Sequence, residues 1–198
     1  MTRISKLAWA AVAALVLVVA ATGIYRWIAS ASRPLEQLAA KVGGPFELTT
    51  HEGKRLSSRD LEGKPFAVFF GFTHCPDVCP TALLELSNIL QKLGPDADKM
   101  RYLFISVDHE QDTPAHLKTY LSSFDSRITG LTGTAQEIAD VARAYRAYYA
   151  KVPTKEGFTY NHTALTYLMG RDGRYVDHIG YQEAEDRQIA KLRRLVAQ

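Results

Sequence analysis

The apolar positions of this chain fall into three patterns, and each predicts a different kind of element. The first pattern is an unbroken run: nineteen consecutive uncharged, mostly apolar residues extend from Leu7 to Tyr25. The second is short and continuous. Phe66-Ala67-Val68-Phe69-Phe70-Gly71-Phe72 and Tyr102-Leu103-Phe104-Ile105-Ser106-Val107 have strand length and suit central strands covered on both faces. The third is periodic. Phe46-Glu47-Leu48-Thr49-Thr50 alternates as a strand does, with Glu52-Gly53 as a hairpin turn. Ala82, Leu83, Leu86, Ile89, Leu90 and Leu93 recur at helical spacing until Gly94-Pro95 stops them. Leu117, Tyr120, Leu121 and Phe124 predict a second helix behind the N-cap and first-turn proline pair Thr113-Pro114. Ile138, Val141, Ala142 and Tyr145 predict a third behind the capping-box sequence Thr134-Ala135-Gln136-Glu137. Residues 147–162 read as a polar, tyrosine-rich loop. Residues 163–169 and 174–179 read as a hairpin around Asp172-Gly173, and Ile189, Leu192, Leu195 and Val196 as a final helix.

The predicted order is hairpin, strand, helix, strand, helix, helix, hairpin, helix. Strands alternating with helices imply an α/β fold with a partly parallel sheet. The closing hairpin and helix suit a thioredoxin-like layout, a central mixed sheet flanked by helices with an N-terminal hairpin.

Charge and the long apolar run divide the chain. Residues 1–26 hold Arg3, Lys6 and Arg26 and no acid, so the formal charge of +3 resides there and residues 27–198 carry 21 Lys and Arg against 21 Asp and Glu. A neutral domain argues against nucleic acid as a partner. Nineteen residues at about 1.5 Å each nearly span a hydrocarbon layer of about 30 Å. Trp9, Tyr25 and Trp27 stand near the ends of the run, where aromatic rings favour the interface. The expected organisation is a cytoplasmic N-terminus at 1–6, a transmembrane helix at 7–27, a linker at 28–44 and a globular domain at 45–198. Arg3 and Lys6 hold the N-terminus inside and place the domain on the periplasmic side of a bacterial inner membrane. A cleaved signal sequence, with Ala29-Ser30-Ala31 as its small-residue site, is the competing reading and also exports the domain.

The chain has two cysteines, Cys75 and Cys79. A disulfide between them would close only a short loop, which removes little entropy from the unfolded chain. Such spacing points to redox chemistry or metal binding in preference to a structural bridge. The pair lies where the central strand gives way to the first long helix, a usual place for a site in an open α/β sheet. Pro80 suits the first helical position, which makes Cys79 the expected N-cap. A thiolate there is favoured by the helix macrodipole. Two thiolates select a soft ion such as Cu(I), and imidazole, as a third donor, suits either copper oxidation state. Of six histidines, His162 ends the 147–162 loop just before a strand, either as a ligand or as an ordinary loop histidine. His116 falls inside a helix and His178 in a hairpin, where both read as structural or exposed. His74 follows a strand that can aim it away from Cys75.

Several segments together resemble one family. Gly63-Lys64-Pro65, leading into Phe69-Phe70-Gly71-Phe72-Thr73-His74-Cys75-Pro76-Asp77-Val78-Cys79-Pro80-Thr81, is similar to the Sco/SenC copper chaperones. Ser106-Val107-Asp108 with Asp112-Thr113-Pro114, Asn161-His162-Thr163 with Tyr167-Leu168, and Asp172-Gly173 agree in the same order, over roughly residues 45–196. The resemblance implies a thioredoxin-like fold and copper held by Cys75, Cys79 and His162. It also implies delivery to the binuclear copper centre of cytochrome c oxidase, with the copper-bearing oxidase subunit as partner. Other periplasmic copper carriers and thiol reductants are further expected partners. Asp108 resembles an acidic position near the family's metal site, and reads equally as a strand-end cap. Two residues depart from the pattern. His109 stands where proline is usual, and Asn161 where an acid commonly precedes the histidine.

A carrier of copper, not an enzyme, is the first expectation. A thiol–disulfide oxidoreductase that reduces the cysteines of the oxidase copper site is the alternative. Its C-x-x-x-C differs from the C-x-x-C of thioredoxin-type motifs, and it leaves His162 without a task. A peroxide-reducing or purely structural module would tolerate loss of Cys79 or His162. Zinc would want four ligands, or three and a water.

Overall fold

The computed structural model describes residue 9 and residues 14–28, 42–155 and 157–198. Residues 14–28 are helical (α1), with Leu15, Val16, Leu17, Val18, Val19 and Ile24 exposed. No helix among the described residues is long and apolar enough to cross a membrane. The expected span at 7–27 includes residues 7, 8 and 10–13, and the expected linker includes 29–41. These lie outside the described residues, as do residues 1–6.

Residues 41–198 form a compact unit of their own. Its strands are β1 (Glu47–Thr50), β2 (Arg55–Ser57), β3 (Phe66–Gly71), β4 (Arg101–Ser106), β5 (Ile128–Thr132), β6 (Tyr149–Thr154), β7 (Gly157–His162), β8 (Leu165–Met169) and β9 (Tyr175–Gly180). Its helices are α2 (Val78–Leu93), α3 (Pro114–Leu121), α4 (Ala135–Ala144) and α5 (Glu185–Val196). Seven strands form a mixed sheet in the order β2-β1-β5-β4-β3-β8-β9. The neighbours β3, β4 and β5 run parallel, and the remaining pairs are antiparallel. This is the mixed, helix-flanked α/β architecture expected, with the N-terminal β1–β2 hairpin in place.

Every residue of β3 is buried, because the strand is covered from both sides. On one face Phe69 stacks with Phe104 of β4, and Phe104 meets Tyr120 of α3. On the other, Phe70 meets Tyr145, which follows α4, and Tyr167 of β8. That two-sided cover is why the strand reads as a continuous apolar run. The expected caps form. Thr113 accepts the His116 N–H ahead of Pro114, and Thr134 and Glu137 make a reciprocal capping box.

Two expectations need correction. The two helices read as consecutive are separated by β5, which pairs parallel with β4 and antiparallel with β1. Residues 147–162 are not a loop. They contain the antiparallel hairpin β6–β7, a separate two-stranded sheet in which Tyr149 pairs with His162. Register places Gly71, the end of β3, beside Ser106, the end of β4, so the segments that follow both strands emerge side by side.

Candidate metal site

Beyond β3 the chain turns through residues 73–77, with the Cys75 N–H donated to the Phe72 carbonyl at 3.3 Å. Helix α2 starts at Val78, two residues earlier than the cysteine-as-N-cap expectation. Asp77 takes the N-cap position and makes no side-chain cap bond. Cys79 is therefore in the first turn, where its N–H has no helical partner. It donates that N–H to Cys75 Sγ at 3.4 Å, so the sulfur acts as the capping acceptor. The first helical bond on the far side of the motif runs from Thr81 N–H to the Asp77 carbonyl. Pro80 precedes it and so removes no bond the helix needs, which is why proline alone did not fix the start.

His162 arrives from the last position of β7. Its ring stands edge-on to two phenylalanines, Phe69 at 6.0 Å and Phe72 at 5.8 Å between centroids. Nδ1 lies 3.1 Å from the Thr163 carbonyl, an acceptor, so Nδ1 carries the proton. That leaves the lone pair on Nε2, which faces Cys79 Sγ at 3.5 Å. A carbonyl that fixes the tautomer and aim of a histidine is the usual support of a metal ligand.

The two sulfurs and a His162 ring nitrogen lie within 4.8 Å of one another. Three donors around one ion, with sulfur at about 2.3 Å and nitrogen at about 2.05 Å, stand roughly 3.8–4.0 Å apart in a trigonal arrangement. The preformed triad is within a few tenths of an ångström of that requirement at its Cys79–His162 edge. Two thiolates and one imidazole are a soft donor set, suited to Cu(I).

The two thiols are electrostatically unequal. Half-buried Cys75 is held down to about 4, chiefly by the hydrogen bond from the Cys79 thiol, with further help from the N–H groups of Asp77 and Cys79. Buried Cys79 is pushed up by that same bond, by burial and by the neighbouring Cys75 charge. In the metal-free protein one thiolate is thus solvated by a protonated partner. Cys75 also borders an open cleft of about 400 Å³ shared with Pro76, Val78, Tyr160, Asn161 and His162, which gives an incoming donor room to reach the sulfur.

Asp108 stands outside this convergence. It is buried, and its Oδ1 accepts the N–H groups of Glu110 and Gln111 at 3.3 and 3.2 Å and lies 3.5 Å from the Tyr160 hydroxyl. It thereby shapes the turn after β4 and touches the hairpin that carries His162. His109 and Asn161 are exposed, and His51 accepts the Gly130 N–H through Nδ1. Sequence reasoning missed the two phenylalanine rings and the Thr163 carbonyl that orient His162. The available signal was the alternation Phe158, Tyr160, His162, which marks one face of a strand.

Comparison with known proteins agrees with the resemblance. The SCO1/SenC family model matches residues 35–197. The human "Protein SCO1 homolog, mitochondrial" is 40% identical over 158 residues, which cover 76% of this chain and 52% of that protein, so the match spans about half the relative's length. The structure of Bradyrhizobium japonicum ScoI with copper bound is 53% identical, with a TM-score of 0.73 over 78% of this chain and 99% of that one. BsSco, described as a member of the Sco family of cytochrome c oxidase assembly proteins with a disulfide switch, is 26% identical with a TM-score of 0.65, over 80% of this chain and 95% of that one. Because the family match takes in the sheet, the cysteine turn and the His162 hairpin together, the chain belongs to the SCO1/SenC family.

Proposed function

We propose that this chain is a copper carrier in which Cys75, Cys79 and His162 hold one copper ion for delivery to the binuclear copper centre of cytochrome c oxidase. The observation that carries the reading is the preformed triad, two sulfurs and a ring nitrogen within 4.8 Å, with the histidine tautomer set by Thr163. The copper-bound Bradyrhizobium relative supports the choice of metal, and the description of BsSco supports the oxidase as destination. Three donors leave a coordination position for a donor of the oxidase subunit. The open cleft beside Cys75 is where that donor would approach. Residues 7–27 serve as a membrane anchor, residues 28–44 as a linker, and the domain at 45–198 faces the periplasm. The uncharged run and the flanking Arg3 and Lys6 support that arrangement.

The inequality of the two thiols favours a second reading, thiol–disulfide exchange. In it the Cys75 thiolate attacks a partner disulfide and one partner sulfur leaves as a thiolate. Cys79, once deprotonated, then displaces the other partner sulfur from the mixed disulfide. The partner gains two electrons and Cys75–Cys79 becomes the disulfide.

Titration of the reduced protein with Cu(I) against a chromophoric chelator separates the readings. The wild type is expected to bind one equivalent. His162→Ala and Cys79→Ser are each expected to weaken binding by roughly tenfold or more. Unchanged Cu(I) affinity in His162→Ala overturns the carrier reading and leaves the exchange reaction.

A further inference from the structure

A second convergence of donors lies on the neighbouring turn, in residues that the thiol site does not use. His74 of the β3–α2 turn and His116 in the first turn of α3 stack with centroids 5.2 Å apart and planes 4° from parallel. Both rings aim at one atom. His74 Nδ1 is 3.2 Å, and His116 Nε2 2.9 Å, from the Thr73 hydroxyl oxygen. That hydroxyl donates its single proton to Asp112 Oδ1. Asp112 is fully buried, and its other oxygen accepts the Thr73 N–H at 3.0 Å and the Ser106 hydroxyl.

We propose that His74, His116 and Asp112 form a second metal site, chemically distinct from the thiol site, that binds a divalent transition-metal ion and takes Cu(II) most tightly. One ring nitrogen from each histidine and an Asp112 oxygen lie within 4.8 Å of one another. Donors about 2.0–2.1 Å from a common ion are at most about 4.2 Å apart. The cluster therefore exceeds that limit by about 0.6 Å at most. His74 and His116 are exposed and free to rotate that far, while Asp112 is held from two sides. Both histidine backbones are anchored as well. His116 N–H donates to Thr113 Oγ1, and His74 sits between Thr73, tied to Asp112, and Cys75, tied to Phe72.

The donor set decides the ion. Two imidazoles and a carboxylate contain no sulfur, so they do not select Cu(I). They suit Cu(II), Ni(II) and Zn(II), and the stability order of first-row ions puts Cu(II) first. This sulfur-free donor set is joined to the thiol site by the His74–Cys75 peptide bond. Sequence reading set both histidines aside, because the 42-residue gap between them is closed only when the ends of β3 and β4 are aligned.

The test uses the full chain carrying Cys75→Ser and Cys79→Ser, which removes the thiols that would reduce Cu(II). Cu(II) is added in steps and followed by electron paramagnetic resonance. One equivalent is expected to bind with nitrogen couplings from two imidazoles. Adding His74→Ala or His116→Ala is expected to lower affinity roughly tenfold or more and to remove one nitrogen coupling, whereas adding His162→Ala leaves the signal unchanged. Circular dichroism checks the fold of each variant, which two exposed positions should not disturb. The proposal is overturned if the signal persists in the His74→Ala/His116→Ala variant, if it follows His162, or if no Cu(II) binds. The thiol-site reading is untouched by any of these results, because it rests on other residues.

Discussion

Gly71→Ala offers a direct test of how the core supports the thiol pair. Gly71 ends β3 beside the first turn of α2, and a Cβ there would stand 2.7 Å from the Phe104 ring, 2.8 Å from Cys79 Sγ and 3.2 Å from the Phe69 ring. Real carbon contacts do not come that close, so something has to move. None of the three neighbours is a loose chain end, since Phe104 and Cys79 are fully buried and Phe69 nearly so. Overpacking of this kind costs about 1–3 kcal/mol. Alanine restores about 0.4–1 kcal/mol by restricting the unfolded chain. A net loss of about 1–2 kcal/mol remains, which corresponds to a Tm lower by roughly 2–8 °C for a domain of this size. The sulfur that must yield is also a member of the triad, so Cu(I) affinity should fall roughly tenfold alongside. Thermal unfolding of the metal-free protein and a chelator competition read the two effects separately. A variant with unchanged or raised Tm and unchanged Cu(I) affinity would refute the close packing of Gly71 against Cys79.

Two further outcomes follow from the same geometry. Cys75 is deprotonated above about 4, so its alkylation by iodoacetamide should be nearly flat between pH 6 and 9, whereas an ordinary thiol gains about tenfold per unit up to roughly pH 8.5. Cys79 should stay unmodified over that range, and Cys79→Ala, which removes the main hydrogen bond to Cys75, should move the Cys75 profile to higher pH; a steep wild-type profile at Cys75 would contradict the assignment. Asp108→Ala removes the acceptor of the Glu110 and Gln111 N–H groups and of the Tyr160 hydroxyl. It should lower the urea midpoint by an amount equivalent to about 2–3 kcal/mol while one Cu(I) still binds, and loss of copper stoichiometry with full stability would make Asp108 a ligand instead.

Elements with one strong period were legible in the sequence, and so was the cysteine pair. β3 and β4 are continuous apolar runs because both faces are covered, and α3 and α4 start at cap sequences that form as written. β5 was hidden by Gly130, which reads as a turn residue. Here a Cβ would stand 2.5 Å from Leu121 Cδ1 of α3, so the helix lies close over the strand and Leu121 would have to move to admit a side chain. β6 and β7 were hidden because one face of the hairpin is solvated and its tyrosines and lysines read as loop. The identity of His162 as third donor came from family resemblance. Its distance from Cys79, 83 positions, could not be bridged by any local pattern. The His74–His116 pair was illegible for the same reason, since it depends on the register of two strands.

The hairpin that carries His162 is hydrogen-bonded as its own two-stranded sheet, while both sulfurs belong to the turn and helix that continue the central strand. A lone hairpin is only marginally stable in water. This one is moored by its base, where Thr163 and Tyr148 exchange hydrogen bonds, by the exposed Lys151–Glu110 pair and by the long Tyr160–Asp108 contact. Its inward-facing side chains complete the mooring, because Tyr160 packs on Phe72 and His162 stands edge-on to Phe69 and Phe72. Carrying the His162 ring away from the sulfurs would first have to lift the buried Tyr160 off Phe72, so the third donor is held in place by the same aromatic packing that closes the core.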